Sequence, residues 1–256
     1  MKKIEKRIEK LIKKCGKIML KANFDDLQVK QKQGCNNIAT FYDIKIENYI
    51  RFQLKKIMPN ASFIGEETEI EQNANSEYKF IVDPIDGTSN FARNNKMSAI
   101  SIALLKNDTP ILAFCYNPFA KELYKAKKGE GAFLNNKKIC VSNKKLADGI
   151  AICGSSYYYE ELKEISQKTQ QNFILSAGDY RRFGSSVIEL CKIASGSAEV
   201  FYEYRLMPWD YAAASLIVQE AGGKITDMKG NKIQFEKPTS ILASNNVEDY
   251  LKYIKE

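Results

Sequence analysis

The chain has 256 residues, enough for one large domain or two modest ones, and its 39 Lys and Arg against 31 Asp and Glu give a net charge of +8. Its hydrophobic fraction of 44% is ordinary for a soluble globular protein, and its apolar runs are far shorter than a membrane-spanning helix requires. The chain contains no histidine, which excludes Ser-His-Asp and Cys-His catalysis, argues against a zinc site, and leaves carboxylates, hydroxyls, lysines or a cofactor for any chemistry.

The first predicted element is an amphipathic helix within residues 1–21. Ile4, Ile8, Leu11, Cys15 and Ile18 recur at helical spacing, so the lysines between them form the solvated face. The basic charge also suits a nucleic-acid or acidic-membrane partner, which is the alternative interpretation of this segment. No apolar signal-peptide block follows the basic start, so we expect a cytoplasmic protein.

The following elements predict a mixed α/β chain. A second helix is expected at about 43–56, followed by a short strand at 62–64. Residues 80–141 alternate strand patterns with turn signals and predict an antiparallel meander. Beyond about 142 we expect strands at 150–153, 199–202 and 241–243, and helices at 160–171, 187–194 and 211–221. No linker divides the chain, so we expect one compact unit over 1–256, with an N-terminal lobe of about 1–142 and a C-terminal lobe of about 143–256.

Five acidic residues lie where apolar strands end or helices begin: Asp43, Glu66, Asp83, Asp86 and Asp210. Each alone has a structural interpretation as a helix cap, a turn residue or a surface acid. Together, in a chain without histidine, they indicate a hard-cation site with oxygen ligands, and we expect Mg²⁺. In the stretch DPIDGTSNF two of these acids run directly into Gly87, where the backbone can approach a phosphate closely.

The motifs GEE (65–67), DPIDGT (83–88), WD (209–210) and EAGG (220–223) resemble those of the inositol monophosphatase family, in order and spacing, over most of the chain. The resemblance implies a layered α-β-α-β-α sandwich of the inositol monophosphatase and fructose-1,6-bisphosphatase type, with mixed, largely antiparallel sheets. It also implies a Mg²⁺-dependent, lithium-sensitive phosphomonoesterase that acts on a small molecule, forms a homodimer, and has neither a membrane nor a nucleic acid as its main partner.

The resemblance further implies a role for each matching residue. Two or three Mg²⁺ ions would be held by Glu66, Asp83, the backbone carbonyl of Ile85, Asp86 and Asp210, with Asp83 bridging two of them. Asp43 and Thr88 would orient and deprotonate the attacking water. Gly87, Thr88 and Ser89 would bind the phosphate, and Gly184, Ser185, Ser186 and Glu203 would contact the alcohol. Two cations about 3.5–4 Å apart would activate the water and take charge off the leaving oxygen.

Three positions bear on how far the resemblance extends. Asn37 stands where the family commonly has an aspartate, and Lys32 precedes it in a loop from which it could approach the phosphate. Arg205 stands where many relatives have a small residue, and if it faces the site it favours a substrate with a second anionic group.

The substrate therefore has several candidates. Inositol monophosphate or a similar sugar-alcohol phosphate comes first, and histidinol phosphate, fructose 1,6-bisphosphate, NADP or a nucleoside 3′,5′-bisphosphate are the alternatives for the same chemistry. A basic protein that binds nucleic acid or lipid is the alternative from another class.

Overall fold

The computed structural model describes residues 1–32, 38–68, 76–154, 156–157 and 159–254. In these ranges the α-helices are α1 (Lys2–Leu20), α2 (Phe41–Ile57), α3 (Thr88–Ala92), α4 (Lys163–Ser176), α5 (Ser186–Ala194) and α6 (Pro208–Glu220). The strands are β1 (Lys30–Gln31), β2 (Ile38–Ala39), β3 (Ser62–Gly65), β4 (Tyr78–Asp86), β5 (Ala99–Lys106), β6 (Thr109–Asn117), β7 (Glu122–Lys127), β8 (Gly131–Leu134), β9 (Lys137–Ile139), β10 (Ile150–Cys153), β11 (Asp179–Arg181), β12 (Val200–Leu206), β13 (Lys224–Thr226) and β14 (Thr239–Ser244). Short 3₁₀ turns lie at Leu146–Asp148, Glu160–Leu162, Val247–Asp249 and Leu251–Tyr253.

Two mixed sheets form the β layers. The larger has the strand order β3-β4-β5-β6-β7-β8-β9, and the smaller has the order β11-β10-β12-β14-β13. Neighbours from β4 to β9 are all antiparallel, which confirms the predicted meander, whereas β3 runs parallel to β4. In the smaller sheet β10 is parallel to β11 and β12, and the remaining pairs are antiparallel.

The helices complete five layers, because side chains alternate between the two faces of each strand. Along β4, Phe80 and Val82 face α1 and α2, whereas Ile81 faces the interior between the two sheets. Helices α5 and α6 fill that interior and are buried along most of their length. On the far side of the small sheet, Phe173 of α4 stacks on Tyr202 of β12 with ring centroids 4.6 Å apart. The predicted α-β-α-β-α sandwich is confirmed.

Helix α1 has the predicted amphipathic form. Its buried face includes Ile8, Leu11 and Cys15, and it packs on α2 and the large sheet. Its lysines lie largely on the opposite, exposed face. No helix in the described ranges is long and apolar enough to cross a membrane.

The boundaries differ from the predicted ones mainly in the C-terminal half. Strand β12 continues to Leu206 rather than ending at 202, and β11 and β13, of three residues each, were not predicted. The predicted helix at 160–171 begins as a 3₁₀ turn and continues as α4 to Ser176. The predicted division near 142 falls in the connection between the two sheets, and the two-lobe description stays a prediction.

Candidate active site

The end of β4 places two acids in the interior of the protein. Asp83 is 1% exposed and Asp86 is 8% exposed. The pairing of β4 with β5 shifts register between them, and Pro84 lies within this irregular segment. The backbone N–H of Ile85 donates to Asp83 Oδ1 over 2.9 Å, so this short turn holds the carboxylate. The irregular end of β4 therefore brings both acids to one place.

Gly87 makes the turn from β4 into α3 possible. Its φ is +82°, a left-handed value that favours glycine. A Cβ atom at this position would lie 2.8 Å from the carbonyl oxygen of Met97 and 3.1 Å from that of Gly184. Backbone from three segments thus meets closely at Gly87. Thr88 and Ser89 open α3, with Thr88 half-buried and Ser89 exposed.

Asp210 joins the two acids of β4 from the first turn of α6. Its Oδ2 accepts the backbone N–H of Met207 over 2.7 Å. Asp210 therefore also caps the helix, which is the structural role that its sequence position allowed. One carboxylate oxygen from each of Asp83, Asp86 and Asp210 lies within 4.8 Å of the others. Strand β4 and helix α6, more than a hundred residues apart in sequence, thus form one carboxylate cluster.

Asp86 also binds the beginning of α5. Its Oδ2 accepts the backbone N–H of Val187 over 2.9 Å and the hydroxyl of Ser185, and its Oδ1 accepts the hydroxyl of Ser186 over 3.3 Å. The first turn of α5 therefore stabilises the ionised carboxylate. The two serines lie beside the cluster through these bonds, and their predicted contact with an alcohol stays a prediction.

Asp43 and Thr88 face each other across the start of α2. Asp43 Oδ2 accepts the backbone N–H of Thr40 over 2.8 Å, which is the predicted cap, and its Oδ1 lies 3.1 Å from Thr88 Oγ1. Thr88 Oγ1 is also 3.0 Å from the carbonyl oxygen of Ile85. A hydroxyl has one proton to donate, so Thr88 lies between two acceptors and can itself accept from a third group.

Glu66 follows β3 and forms an ion pair with Lys32. The Lys32 ammonium lies 3.0 Å from Glu66 Oε1 and 2.6 Å from Glu67 Oε1. The sequence left open whether Lys32 approaches the phosphate, and the structure places its ammonium on these two acids. Glu47 Oε2, which the sequence did not single out, accepts the backbone N–H of Glu67 over 2.8 Å and holds this loop.

Burial raises the pKa of every acid in the predicted metal site, and the charges of neighbouring acids add to this for Glu66, Asp83 and Asp210. For Asp83 the pKa is well above its ordinary value because of burial and then the charges of Glu66, Asp86 and Asp210. Burial raises the pKa of Asp86 to about 6, against the hydrogen bonds of Ser185 and Val187. Burial raises the pKa of Glu66 to about 7, opposed by Lys32, and that of Asp210 well above normal. Such a cluster favours a counterion of high positive charge.

We expect the metal-free protein to lose stability as the pH rises from about 5 to about 7.5. The pKa values of Asp86 and Glu66, about 6 and about 7 in the folded protein, exceed the unfolded values of about 4. The folded state therefore binds more protons, and the resulting stability, complete below about pH 4, is lost as the pH rises through 6 and 7. Melting temperatures in EDTA across this range measure the effect. A melting temperature that rises over the range would contradict the expectation, and Asp83→Asn should flatten the fall.

A cavity of about 240 Å³ adjoins the carboxylate cluster. Its lining includes Asp86 and Asp210 of the cluster, together with Gly184, Ser185 and Ser186. Glu203 of β12 lines it as well, and its carboxylate lies so close to Gly154 that a Cβ there would overlap it. The residues predicted to contact the alcohol thus border one cavity together with two of the predicted metal ligands.

The loop before α5 is held by a second buried acid. Glu189 is 1% exposed, and its Oε1 accepts the backbone N–H groups of Phe183 and Gly184 over 2.6 and 2.9 Å. Burial, and then the charge of Glu203, raises the pKa of Glu189 to about 8. The sequence did not single out Glu189, because an acid in the first turn of a helix is an ordinary helix-start signal.

The five acids predicted from the sequence fall into two groups. Asp83, Asp86 and Asp210 form the compact cluster, and Glu66 and Asp43 lie close enough that their charges raise the pKa of Asp83. Asn37, the position that departs from the family pattern, lies outside the described residues.

Comparisons with known proteins show which family this chain resembles. The model of the inositol monophosphatase family matches residues 1–256. An inositol-1-monophosphatase of Caulobacter vibrioides is 36% identical over 86% of this chain and 87% of its own. A Nus factor SuhB of Xylella fastidiosa is 34% identical over 86% of this chain and 80% of its own. The crystal structure of the extragenic suppressor protein suhB from Bartonella henselae superposes with a TM-score of 0.91, at 30% identity and 98% coverage of both chains.

Proposed function

The chain belongs to the inositol monophosphatase family of phosphomonoesterases, and on this premise we propose that it hydrolyses inositol monophosphate or a similar sugar-alcohol phosphate with the help of Mg²⁺. The observation that carries the proposal is the convergence of Asp83, Asp86 and Asp210, with carboxylate oxygens within 4.8 Å of one another. The name of the Caulobacter relative supports the choice of substrate.

The residues present fit a hard divalent cation. The cluster offers only carboxylate oxygens, with the carbonyl of Ile85 nearby, and oxygen is the ligand that Mg²⁺ prefers. The raised pKa values of Asp83 and Asp210 arise from burial and mutual repulsion, which a bound cation would offset. Asp83, Asp86 and Asp210 would hold one ion, and Glu66, Asp83 and the Ile85 carbonyl a second. When bound, such ions lower the pKa of a coordinated water and stabilise charge on the leaving oxygen.

The remaining chemistry falls to the chain's own groups. Asp43 Oδ1 and Thr88 Oγ1, 3.1 Å apart, would hold the attacking water and accept its proton. Burial raises the pKa of Asp43 to about 6, opposed by the bonds from Thr40, so near neutral pH this carboxylate is mostly ionised and can act as a base. Gly87 turns the chain into α3 with its left-handed φ, and Thr88 and Ser89 at the start of that helix would bind the phosphate. Glu203 and the two serines would orient the alcohol.

A phosphate-release assay tests the proposal. Purified protein should hydrolyse inositol 1-phosphate with Mg²⁺, lose the activity in excess EDTA, and regain it when Mg²⁺ is restored. Histidinol phosphate, fructose 1,6-bisphosphate, NADP and adenosine 3′,5′-bisphosphate complete the panel, and kcat/KM ranks them. Activity that persists in EDTA would refute the metal-dependent mechanism. We also propose a homodimer and inhibition by Li⁺, which gel filtration and the same assay check.

The exposed lysines of α1 favour a second candidate function, binding of a nucleic acid. They cover one face of a helix nearly thirty ångströms long at 1.5 Å per residue, and several relatives carry the name Nus factor SuhB rather than that of a phosphatase. Single-stranded RNA should then bind with an affinity that falls steeply with salt, and replacing Lys6, Lys10 and Lys17 by Gln should remove the binding. Equal binding by this variant would exclude α1 as the contact.

A further inference from the structure

We propose, on the premise of the phosphomonoester hydrolysis described above, that the preferred substrate carries a second phosphate group besides the one that is hydrolysed, and that Arg182 and Arg205 bind it. Both arginines line the cavity of about 240 Å³ that adjoins the carboxylate cluster. They come from different segments, since Arg205 belongs to β12 and Arg182 lies between β11 and the loop that leads into α5. The wall of the cavity thus carries both carboxylates and guanidinium groups.

An irregularity in β12 places Arg205 in this position. The pairing of β12 with β14 shifts register between Glu203 and Leu206. A bulge of this kind turns side chains away from the directions they would have in a regular strand. Here Glu203, Arg205 and Leu206 all line the cavity, which strict alternation of a regular strand would not allow.

The guanidinium of Arg205 is held by an aromatic ring rather than by a carboxylate. Its central carbon lies 4.5 Å from the ring centroid of Tyr159. A guanidinium stacked in this way is oriented by the ring and keeps the N–H groups at its edge for a ligand. Arg205 is therefore positioned before a ligand binds, and its N–H groups are not used up in holding it there.

Neither arginine has an acidic partner within the part of the chain that the structure describes. Among the described residues, neither side chain donates a hydrogen bond or forms an ion pair, although four carboxylates line the same cavity. Neighbouring Arg181 provides the contrast, since it pairs with Asp179 and does not line the cavity. The N–H groups of Arg182 and Arg205 are thus available to a ligand.

The two guanidinium groups of the cavity favour an anionic group over a neutral hydroxyl. Asp86 and Asp210 belong to the carboxylate cluster, and Glu189 accepts two backbone N–H groups from the loop before α5. Glu203 is then the one remaining carboxylate among the lining residues, which also include two arginines. A hydroxyl group gains little from an exposed guanidinium, whereas a phosphate gains charge-assisted and bidentate hydrogen bonds.

Matched pairs of substrates test the inference. The wild-type protein with Mg²⁺ is assayed on fructose 1-phosphate against fructose 1,6-bisphosphate, and on inositol 1-phosphate against inositol 1,4-bisphosphate. We expect kcat/KM to be at least about tenfold higher for the bisphosphate in one pair, mainly through a lower KM. Arg205→Ala and Arg182→Ala should each reduce this ratio about tenfold, and 0.5 M salt should reduce it in the wild type because exposed charges are screened.

Arg181→Ala is the matched control, because this exposed arginine lies one residue from Arg182 but pairs with Asp179. It should leave the ratio unchanged. All three side chains are exposed, and an unchanged melting temperature verifies that the variants fold. A ratio near one in both pairs, or a preference that survives both substitutions, would overturn the inference alone, with monophosphate hydrolysis intact. Failure to release phosphate from any of the four compounds would overturn the proposed function as well.

Discussion

Asp83→Asn is expected to lower kcat/KM for phosphomonoester hydrolysis by at least about a thousandfold, because a cation that stabilises transition-state charge contributes several kcal/mol. Asp83 is the acid whose pKa is raised by all four other predicted site acids, so it lies at the centre of their charges. The asparagine oxygen can still accept the N–H of Ile85, so the turn at the end of β4 should persist. The substitution therefore removes charge with little change of shape. Steady-state kinetics over a range of Mg²⁺ concentrations measure the loss.

The same variant should show the opposite effect on stability without metal. In EDTA its melting temperature should exceed that of the wild type, because one of several repelling buried carboxylates is gone. Asp108→Asn is the matched control, since Asp108 is exposed and has a φ of +55°, a conformation that asparagine tolerates well. This control should change neither quantity. An active Asp83→Asn enzyme would contradict the assignment of a metal to this cluster.

Thr88→Val is expected to reduce kcat by about 10²- to 10³-fold, the range typical of lost acid–base assistance. Valine keeps the branched shape at the start of α3 but has no hydroxyl to lie between Asp43 Oδ1 and the Ile85 carbonyl. The loss should appear in kcat more than in KM, since the hydroxyl acts on the attacking water. Single-turnover and steady-state rates with inositol 1-phosphate measure it.

Thr88→Ser serves as the control for that experiment. Serine retains the hydroxyl and should keep activity within about tenfold of the wild type, the factor that 1.36 kcal/mol represents. If valine and serine reduce kcat equally, the methyl group rather than the hydroxyl matters, and Thr88 has no part in activating water.

The sequence predicts the acids of the site because their chemistry leaves a local signature. Asp83 and Asp86 stand at the exit of an apolar strand, and Asp43 and Asp210 stand in first helical turns, where their capping bonds are also found. In each case the local interpretation and the functional one are compatible. A carboxylate has two oxygens, and in Asp43 one caps the helix while the other faces Thr88.

Contacts between distant segments could not be predicted in the same way. The bonds from α5 to Asp86 join residues about a hundred positions apart, and nothing near Ser185 signals them. The ion pair of Lys32 with Glu66 and the register shift after Glu203 depend on how loops and strands meet. Strands β11 and β13 could not be predicted, because three residues are too few to show the alternation of polar and apolar residues that indicates a strand.

Helix α6 makes the geometry of the site sensitive to the size of the side chains buried between the two sheets. Ala212, Ala213 and Ala214 are all buried, because this helix is enclosed between two sheets and has no side open to solvent. Their small side chains allow the two sheets to lie close to the helix, and Asp210, the proposed metal ligand, lies only two residues before Ala212. The catalytic rate should therefore depend on the distance between the two sheets. A bulkier residue at one of these alanines would push the helix away from a sheet and move Asp210 relative to the other carboxylates. A displacement of a few tenths of an ångström should lower the catalytic rate before it lowers the melting temperature.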